Sequence, residues 1–379
     1  MSKRVLMVLN NHYTHDPRVT NEAEGLVRHG YEVKVIAWDR KRKYLLHESI
    51  NGIEIFRVRI PYILDKLIPF EILKVPIWQI LAYKKALRLY DDWKFDVVHV
   101  HDWPDLPVGA WLKKKRPRLK LIYDSHEVWA YMVFTKRLPK WLNEIIWREL
   151  SLLQHADALI TVGRDYKRYF IPYFPKISII YNSKQRGKWI KPKTGFIKVV
   201  YVGGFDDKRC IHELLEAVSK TQYSAIKVTF AGPYVKGFTD RIKELSHRDS
   251  RIEYLGFIPR ERVLIETEKG NAVWFVFKSS DPLYKIGMPN KLFEAIATGR
   301  TSICGKGTSS GEFVEKYKIG LAISCGVEEI KKTLIYLREN PKLVVKFGRR
   351  AYKVGEKYNW RRELEKLLAL YKEVIGEQQ

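Results

Sequence analysis

Three cysteines in 379 residues, Cys210, Cys304 and Cys325, are odd in number and lack the close spacing of a zinc site. Neither a disulfide framework nor a metal cluster is expected, and a reducing cytoplasm suits such a chain. Long hydrophobic runs are lacking as well. The opening MSKRVLMVLNNHYTHD has a basic head, but its short apolar stretch soon turns polar, so a buried first strand is expected and not a signal peptide. No apolar run reaches the length of a membrane span, which leaves only contact with a membrane from one side. Internal repeats and low-complexity tracts are missing, which excludes solenoids and long disordered tails. Asp-x-Asp and His-Glu-x-x-His are missing too, so no metal is expected at the site.

Acidic residues are in deficit. Against 69 Lys and Arg there are 43 Asp and Glu, and the formal net charge of +26 implies an anionic partner: nucleic acid, a membrane surface or a phosphorylated substrate. A solvated, lysine-rich surface explains the charge as such equally well. What is abundant is apolar material, 46% of residues, in a chain long enough for two cores. Short β-branched runs alternate with helical patterns: RVLMVLN, a helix from Pro17 to His29, EVKVIAW, FDVVHVH, LKLIYDS and DALITVG. The rhythm stops at YNSKQRGKWIKPKTG, residues 181 to 195, which reads as a linker. It resumes with IKVVYVGG, a helix near Ile211 to Val218, IKVTFAG, RIEYLGF, AVWFVF, TSICG and IGLAIS. This predicts an α/β protein with two Rossmann-like domains facing each other across a cleft. The first spans 1–181 together with a C-terminal helix at 359–379, and the second spans 182–358.

Candidate site residues lie where these strands end. In YVGGFDDKRCIHELLEAV, Gly203 and Gly204 let a ligand approach the backbone, and Arg209 precedes a helix start suited to phosphate; a tight turn beside a surface arginine is the alternative. In MPNKLFEAIATGRTSI, Pro289 is expected at the first helical position and Gly299 past the end. Leu292, Phe293, Ile296 and Ala297 form an apolar stripe, while Lys291, Glu294 and Thr298 fall on another face. A lysine at the positive end of a helix gains nothing locally, so phosphates near Lys291 and a ribose diol near Glu294 would explain both, with an ordinary exposed pair as the alternative. In the first half, His101-Asp102 and Asp124-Ser125-His126-Glu127 follow strands. Two segments, RIPYILDKLIPFEILKVPIWQILAYKKALRLYDDW and MVFTKRLPKWLNEIIWREL, mix cations with aromatic and aliphatic residues. They fit a lipid interface, or equally helices that cover a sheet.

With these segments in place the whole chain resembles the GT-B glycosyltransferases, and within them glycosyltransferase family 4. HDPRVTNEAEGLVRHGYEVKVIA is similar to the family's first loop and helix, and HDWPDLPVGAW and YDSHE to its acceptor-side strand ends. YVGGFDDKRCIHELLEAV resembles the phosphate segment, DPLYKIGMPNKLFEAIATGRTSI the nucleotide-sugar segment, and YNWRRELEKLLALYKEVI the last helix, which crosses back to the N-terminal domain. The resemblance implies that Arg209 and Lys291 bind the donor diphosphate and that Glu294 binds the ribose. Backbone NH groups around Gly287 and Met288 would meet the sugar or phosphate, and His126 would sit at the reaction centre. Asp16 and Arg18 would face the acceptor, with His101, Asp102 and Glu127 on the same side. Three positions depart from the family pattern: Ile286 stands in place of an acid, Gly204 in place of a base, and Cys210 in place of a glycine.

The implied activity is a retaining, metal-independent transfer from a UDP- or GDP-sugar to a hydroxyl, with a lipid-linked or cell-surface glycan precursor as acceptor and no resident cofactor. The protein would be cytoplasmic and peripheral on an anionic inner membrane face. A nucleotide-sugar epimerase of the same fold is the alternative. Nucleic acid is not an expected partner, since no known nucleic-acid module is present.

Overall fold

The computed structural model describes residues 3–14, 16–128 and 150–376. It divides into two compact units, Met1–Ile180 with Leu364–Gln379, and Tyr181–Glu363. The segment MVFTKRLPKWLNEIIWREL, read above as interfacial or sheet-covering, lies outside the described residues except for its final Leu150.

The first unit is built on an eight-stranded sheet in the order β3-β4-β2-β1-β5-β6-β7-β8. Its strands are β1 (Lys3–Leu9), β2 (Tyr31–Trp38), β3 (His47–Ile50), β4 (Ile53–Val58), β5 (Val97–His101), β6 (Lys120–Ser125), β7 (Ala158–Thr161) and β8 (Ile177–Ile179). All pairings are parallel except β3 with β4, which puts an antiparallel strand on the edge. The central strands are mostly apolar because helices cover both faces, with polar residues such as His99, His101 and Asp124 toward the carboxyl ends of β5 and β6. These are α1 (Pro17–Arg28), α2 (Tyr62–Leu67), α3 (Glu71–Trp93), α4 (Leu106–Lys115) and α5 (Arg164–Phe170). One face of α3 presents Val75, Trp78, Ala82, Ala86 and Leu89 to the core, and Trp78 stacks on Trp38 of β2. The edge strands β3 and β8 and the neighbouring β4 are additions to the sequence reading, which found no apolar run there long enough to stand out.

The second unit carries a six-stranded parallel sheet in the order β11-β10-β9-β12-β13-β14. The strands are β9 (Ile197–Val202), β10 (Ile226–Ala231), β11 (Ile252–Tyr254), β12 (Ala272–Phe275), β13 (Thr301–Gly305) and β14 (Gly320–Ile323). Numbered within the unit this is 3-2-1-4-5-6, the order of a dinucleotide-binding fold, whose ligand crevice opens beside the first strand. Its helices are α6 (Ile211–Ser219), α7 (Phe238–Arg248), α8 (Arg260–Glu268), α9 (Pro282–Ile286), α10 (Asn290–Thr298), α11 (Ser309–Tyr317), α12 (Val327–Glu339) and α13 (Pro341–Val354). The 181–195 segment has no helix or strand, as expected of a linker, yet it is strapped onto this unit. Asn271 donates to the Lys193 carbonyl at 2.7 Å, Arg300 to that of Ile190 at 2.8 Å, and the Trp189 indole fills the space beside Gly299. The last helix, α14 (Trp360–Ile375), starts in the second unit and continues in the first from Leu364. There the phenol of Tyr371 is fully buried and meets His99 Nδ1 at 2.9 Å.

The cysteines correct the sequence reading. Cys210 and Cys325 form a disulfide across 115 residues, and Cys304 is free and buried. The sequence hides the pair because its ends meet only after the sheet has formed: Cys210 caps α6, Cys325 comes two residues before α12, and those helices pack together. Scarcity of cysteine therefore no longer argues for a reducing compartment. Cys210 also has φ 51°, the left-handed conformation for which glycine is favoured. Closing a loop of this length removes enough unfolded-chain entropy to stabilise the unit by about 4 kcal/mol. Reduction, or Cys325→Ser, is expected to lower the melting temperature by about 5 °C or more, read by calorimetry with and without dithiothreitol. An unchanged transition in the reduced protein contradicts the tether.

Candidate active site

In the first unit the chain ends of β1, β5 and β6 lie side by side, and their following residues form a buried ionic cluster. Asp16 caps α1, accepting from the backbone NH groups of Arg18 and Val19 and from the Asn11 amide at 2.8 Å. That cap aims the first turn of α1 so that Arg18 forks onto Asp124: Nε donates to Oδ2 at 2.9 Å and Nη2 to Oδ1 at 2.8 Å. Arg18 Nη1 donates to the Ile180 carbonyl at 3.0 Å, and Nε lies 3.2 Å from Glu22 one turn later on α1. His126 sits between two carboxylates. Its Nε2 is 3.2 Å from Asp124 Oδ2, its Nδ1 is 3.8 Å from Asp102 Oδ2, and its backbone NH donates to Asp102 Oδ1 at 2.9 Å. Asp102 itself has φ 64°, a strained conformation for a residue with a side chain, directly after β5.

Burial and pairing set the protonation states. Burial alone would lower the His126 imidazole, but Asp102 and Asp124 outweigh it and hold it at about 9, so it is a cation at neutral pH. Asp124 is pushed up by burial yet held well below the usual carboxylate range by Arg18 and His126. Glu22, pushed up by burial and by the neighbouring Asp124, titrates at about 8. Burial lowers His99 and His101, which stack with ring centroids 4.3 Å apart. Arg18 and His126 thus face Asp124 and Asp102, the latter raised by burial and partly offset by His126, with a neutral Glu22 and two neutral imidazoles behind them. Glu22, His99, His101 and Asp124 each offer a ligand atom, all within 4.8 Å of one another. We assign no metal to them, because Arg18 already occupies both oxygens of Asp124 and abuts Glu22, and a further cation there meets its repulsion.

In the second unit the turn after β9 holds the other group of candidates. Gly203 has φ +147°, and a methyl built on it would lie 2.6 Å from the Lys291 amine. That amine stands 4.7 Å over the Tyr201 ring and makes no hydrogen bond or ion pair with the described residues. Tyr201 donates its hydroxyl to the Gly204 carbonyl. Arg209, at the end of a 3-10 turn before α6, is gripped by Asp206 and lies 3.2 Å from the Tyr284 hydroxyl, which in turn reaches Asp206 at 2.9 Å. Trp274 pins the same turn, its indole NH donating to the Arg209 carbonyl at 3.1 Å. Burial lowers the Lys291 amine, the nearby Arg209 lowers it further, and it rests at about 8. Burial would lower Arg209 as well, but Tyr201, Tyr284 and Asp206 raise it.

The structure brings Gly203, Gly204, Arg209 and Lys291 together. Glu294 lies one turn beyond Lys291 on α10, buried, with Oε2 lacking a hydrogen-bond partner among the described residues. Helix α10 is buried on every side from Lys291 to Thr298, which rules out the ordinary exposed pair offered as the alternative for Lys291 and Glu294. Its cap is shifted by one residue: Pro289 precedes the helix, while Gly299 ends it with φ 63° as anticipated. Gly287 and Met288 link α9 to α10, the former extended and the latter buried. In the first unit, His101, Asp102 and His126 adjoin one another, while Glu127 is half-buried, its carbonyl accepting from Ser125. Asp16 serves as a helix cap, and the Arg18 guanidinium is turned inward to Asp124. Sequence reasoning named Asp124 within its strand-end cluster but gave it no role, and it passed over Glu22 and His99, and in the other unit Tyr201, Asp206 and Tyr284. Asp206 stood in a quoted motif, and its place three residues before Arg209 was the available signal. Arg18→Met leaves Asp124 buried without its partner; it should cost about 3–5 kcal/mol in urea unfolding, and a loss under about 1 kcal/mol contradicts this account.

Comparison with known proteins follows the same division. Residues 18–183 match Glycosyltransferase Family 4, and residues 183–354 match Glycosyl transferases group 1. An uncharacterized glycosyltransferase of Methanocaldococcus jannaschii is 37% identical over 110 residues, covering 27% of this chain and 25% of that relative, so the match spans about a quarter of its length. Among solved structures, sucrose-phosphate synthase from Thermosynechococcus elongatus superposes with TM-score 0.79 at 15% identity, covering 99% of this chain and 100% of that one. Anabaena HepE in complex with UDP gives 0.71 at 13% identity, with 98% and 100% covered. These likenesses favour transfer over the epimerase alternative. The chain belongs to the group 1, family 4 glycosyltransferases and is a glycosyltransferase of the GT-B fold.

Proposed function

We propose that the chain moves a sugar from a UDP- or GDP-sugar to a hydroxyl of a lipid-linked or other cell-surface glycan precursor, with retained anomeric configuration and without a metal ion. One observation carries this reading: the buried Lys291 amine makes no hydrogen bond or ion pair among the described residues and converges with Arg209 on the glycine turn after β9. Two cations beside a backbone that a ligand can approach suit a diphosphate. As the bond from the anomeric carbon to the diphosphate oxygen breaks, Arg209 and Lys291 stabilise the charge left on the leaving group. The acceptor oxygen attacks from the same face, and its proton passes to the departing phosphate oxygen. His126, a cation between two carboxylates, donates and orients and does not act as base. The unpartnered Glu294 Oε2 accepts from the ribose diol. With Ile286 in place of an acid, the sugar's hydroxyls fall to backbone NH groups of Gly287 and Met288. HepE, solved with UDP and with UDP-glucose, motivates the choice of nucleotide to try first. The acceptor would be met at the inner membrane face.

Calorimetric titration with UDP, GDP and ADP tests the donor side. For the best of the three, Glu294→Gln should weaken binding about 10- to 100-fold, as expected for a lost charge-assisted hydrogen bond, and should leave the 2′,3′-dideoxy analogue unaffected. Equal loss on both, or no loss, removes Glu294 from the ribose. Turnover that persists in chelator, giving product of the donor's own anomeric configuration by NMR, is the expected catalytic result. An inverted product or chelator-abolished activity overturns the mechanism.

A further inference from the structure

The first unit carries an apolar surface that its own core does not use. Helix α2 buries none of its residues, and Ile63 and Leu67 are 73% and 71% exposed. Phe70, in the connection to α3, is 64% exposed, and the outer face of α3 continues the strip with Leu73 and Ile80. Those two are seven residues apart, hence on one side of the helix, opposite the Trp78 and Ala82 face that covers the sheet. The inward face alone accounts for the fold. The outward strip is surplus, and contiguous surplus of this kind marks a contact surface.

Charge borders the strip. The loop after β2 reaches it directly: the Arg42 guanidinium lies 5.5 Å over the Tyr62 ring, and Arg40 is 3.9 Å from Glu71 at the start of α3. The acids within the patch are neutralised, since Asp65 is 2.9 Å from Lys74 and 3.9 Å from Arg42. Lys41, Lys43 and Lys66 remain exposed around it, and Lys84 and Arg88 extend the outer face of α3 in steps of four from Ile80. Exposed aliphatic and aromatic side chains ringed by lysine and arginine match an anionic lipid interface, the apolar groups entering below the phosphates and the cations at their level. A nucleic-acid surface has no use for Ile63 and Leu67. No helix among the described residues is long and apolar enough to cross a membrane, and this surface would meet one leaflet.

We infer that α2, the outer face of α3 and the 40–43 loop form a docking surface for an anionic bilayer. The surface stands on its own geometry; only its purpose, delivering the enzyme to a lipid-linked acceptor, rests on the transfer reading above. The test is co-sedimentation of the full chain with sucrose-loaded vesicles of phosphatidylcholine, with or without phosphatidylglycerol. Wild type should partition onto the anionic vesicles, and both Ile63→Ser/Leu67→Ser/Phe70→Ser and Lys41→Glu/Lys43→Glu/Lys66→Glu should reduce that partition at least about tenfold. Added salt should weaken the wild type and leave the charge-reversed variant little changed. Nucleotide binding, measured on the same samples, should be unaltered, which also verifies the fold. Wild type that stays in the supernatant, or an apolar variant that binds as tightly as wild type, overturns the inference. So does a duplex DNA that binds wild type more tightly than the vesicles do, or self-association lost in the apolar variant while vesicle binding persists. None of these outcomes touches the donor assignment, whose failure shows instead as nucleotide binding indifferent to Lys291→Met.

Discussion

A protonated amine enclosed at the start of a helix is unfavourable twice over: burial strips its water, and the helix dipole presents positive charge to it. Lys291 is in that position, and among the described residues the Tyr201 ring face and the more distant carboxylates of Glu294 and Asp206 offset it in part. A shift from the ordinary lysine value to about 8 corresponds to roughly 3 kcal/mol against the charged form in the empty site. Much of the surrounding architecture keeps the space beside that amine open and positive. Gly203 provides the backbone with no Cβ, the Asp206 and Tyr284 contacts keep Arg209 from swinging away, and the αL conformation of Cys210 turns the chain from Arg209 into α6. On the transfer reading proposed above, a diphosphate would remove the unfavourable term and turn the same cation into an asset when the leaving group develops charge.

The first unit solves the opposite problem. Arg18, Glu22 and Asp124 are closed in while Asp102 and His126 stay partly exposed, and the charges balance one another: the Arg18 fork holds Asp124, and Asp124 with Asp102 holds His126 charged. Breaking the Arg18 fork leaves the buried Asp124 charge poorly compensated, so the cluster is held together by mutual pairing. Tyr371 extends the network to the last helix through His99, so the end of the chain takes part in fixing the site.

What the sequence made legible was whatever leaves a local pattern. The apolar runs of β9 to β14, the glycines after β9 and the αL glycine ending α10 each announce themselves within a few residues. Pairings that depend on the finished fold did not. Cys210 and Cys325 are 115 residues apart, and His99 and Tyr371 are 272 apart. Glu22 looks like an ordinary exposed helix acid, and only the approach of Asp124 and Arg18 reveals it as buried. The same limit explains α10, where the spacing of Lys291 and Glu294 left an exposed pair open as the alternative and the finished fold encloses both.

The direct measurement is proton uptake on nucleotide binding. Isothermal titration at pH 8 in buffers of different ionisation heat reads the protons taken up as the best nucleoside diphosphate binds. Because Lys291 is half-protonated there when the site is empty and an adjacent diphosphate raises its pKa, wild type should take up about half a proton and Lys291→Met none. Equal uptake by both proteins, or no uptake by wild type, contradicts the placement of the diphosphate at Lys291.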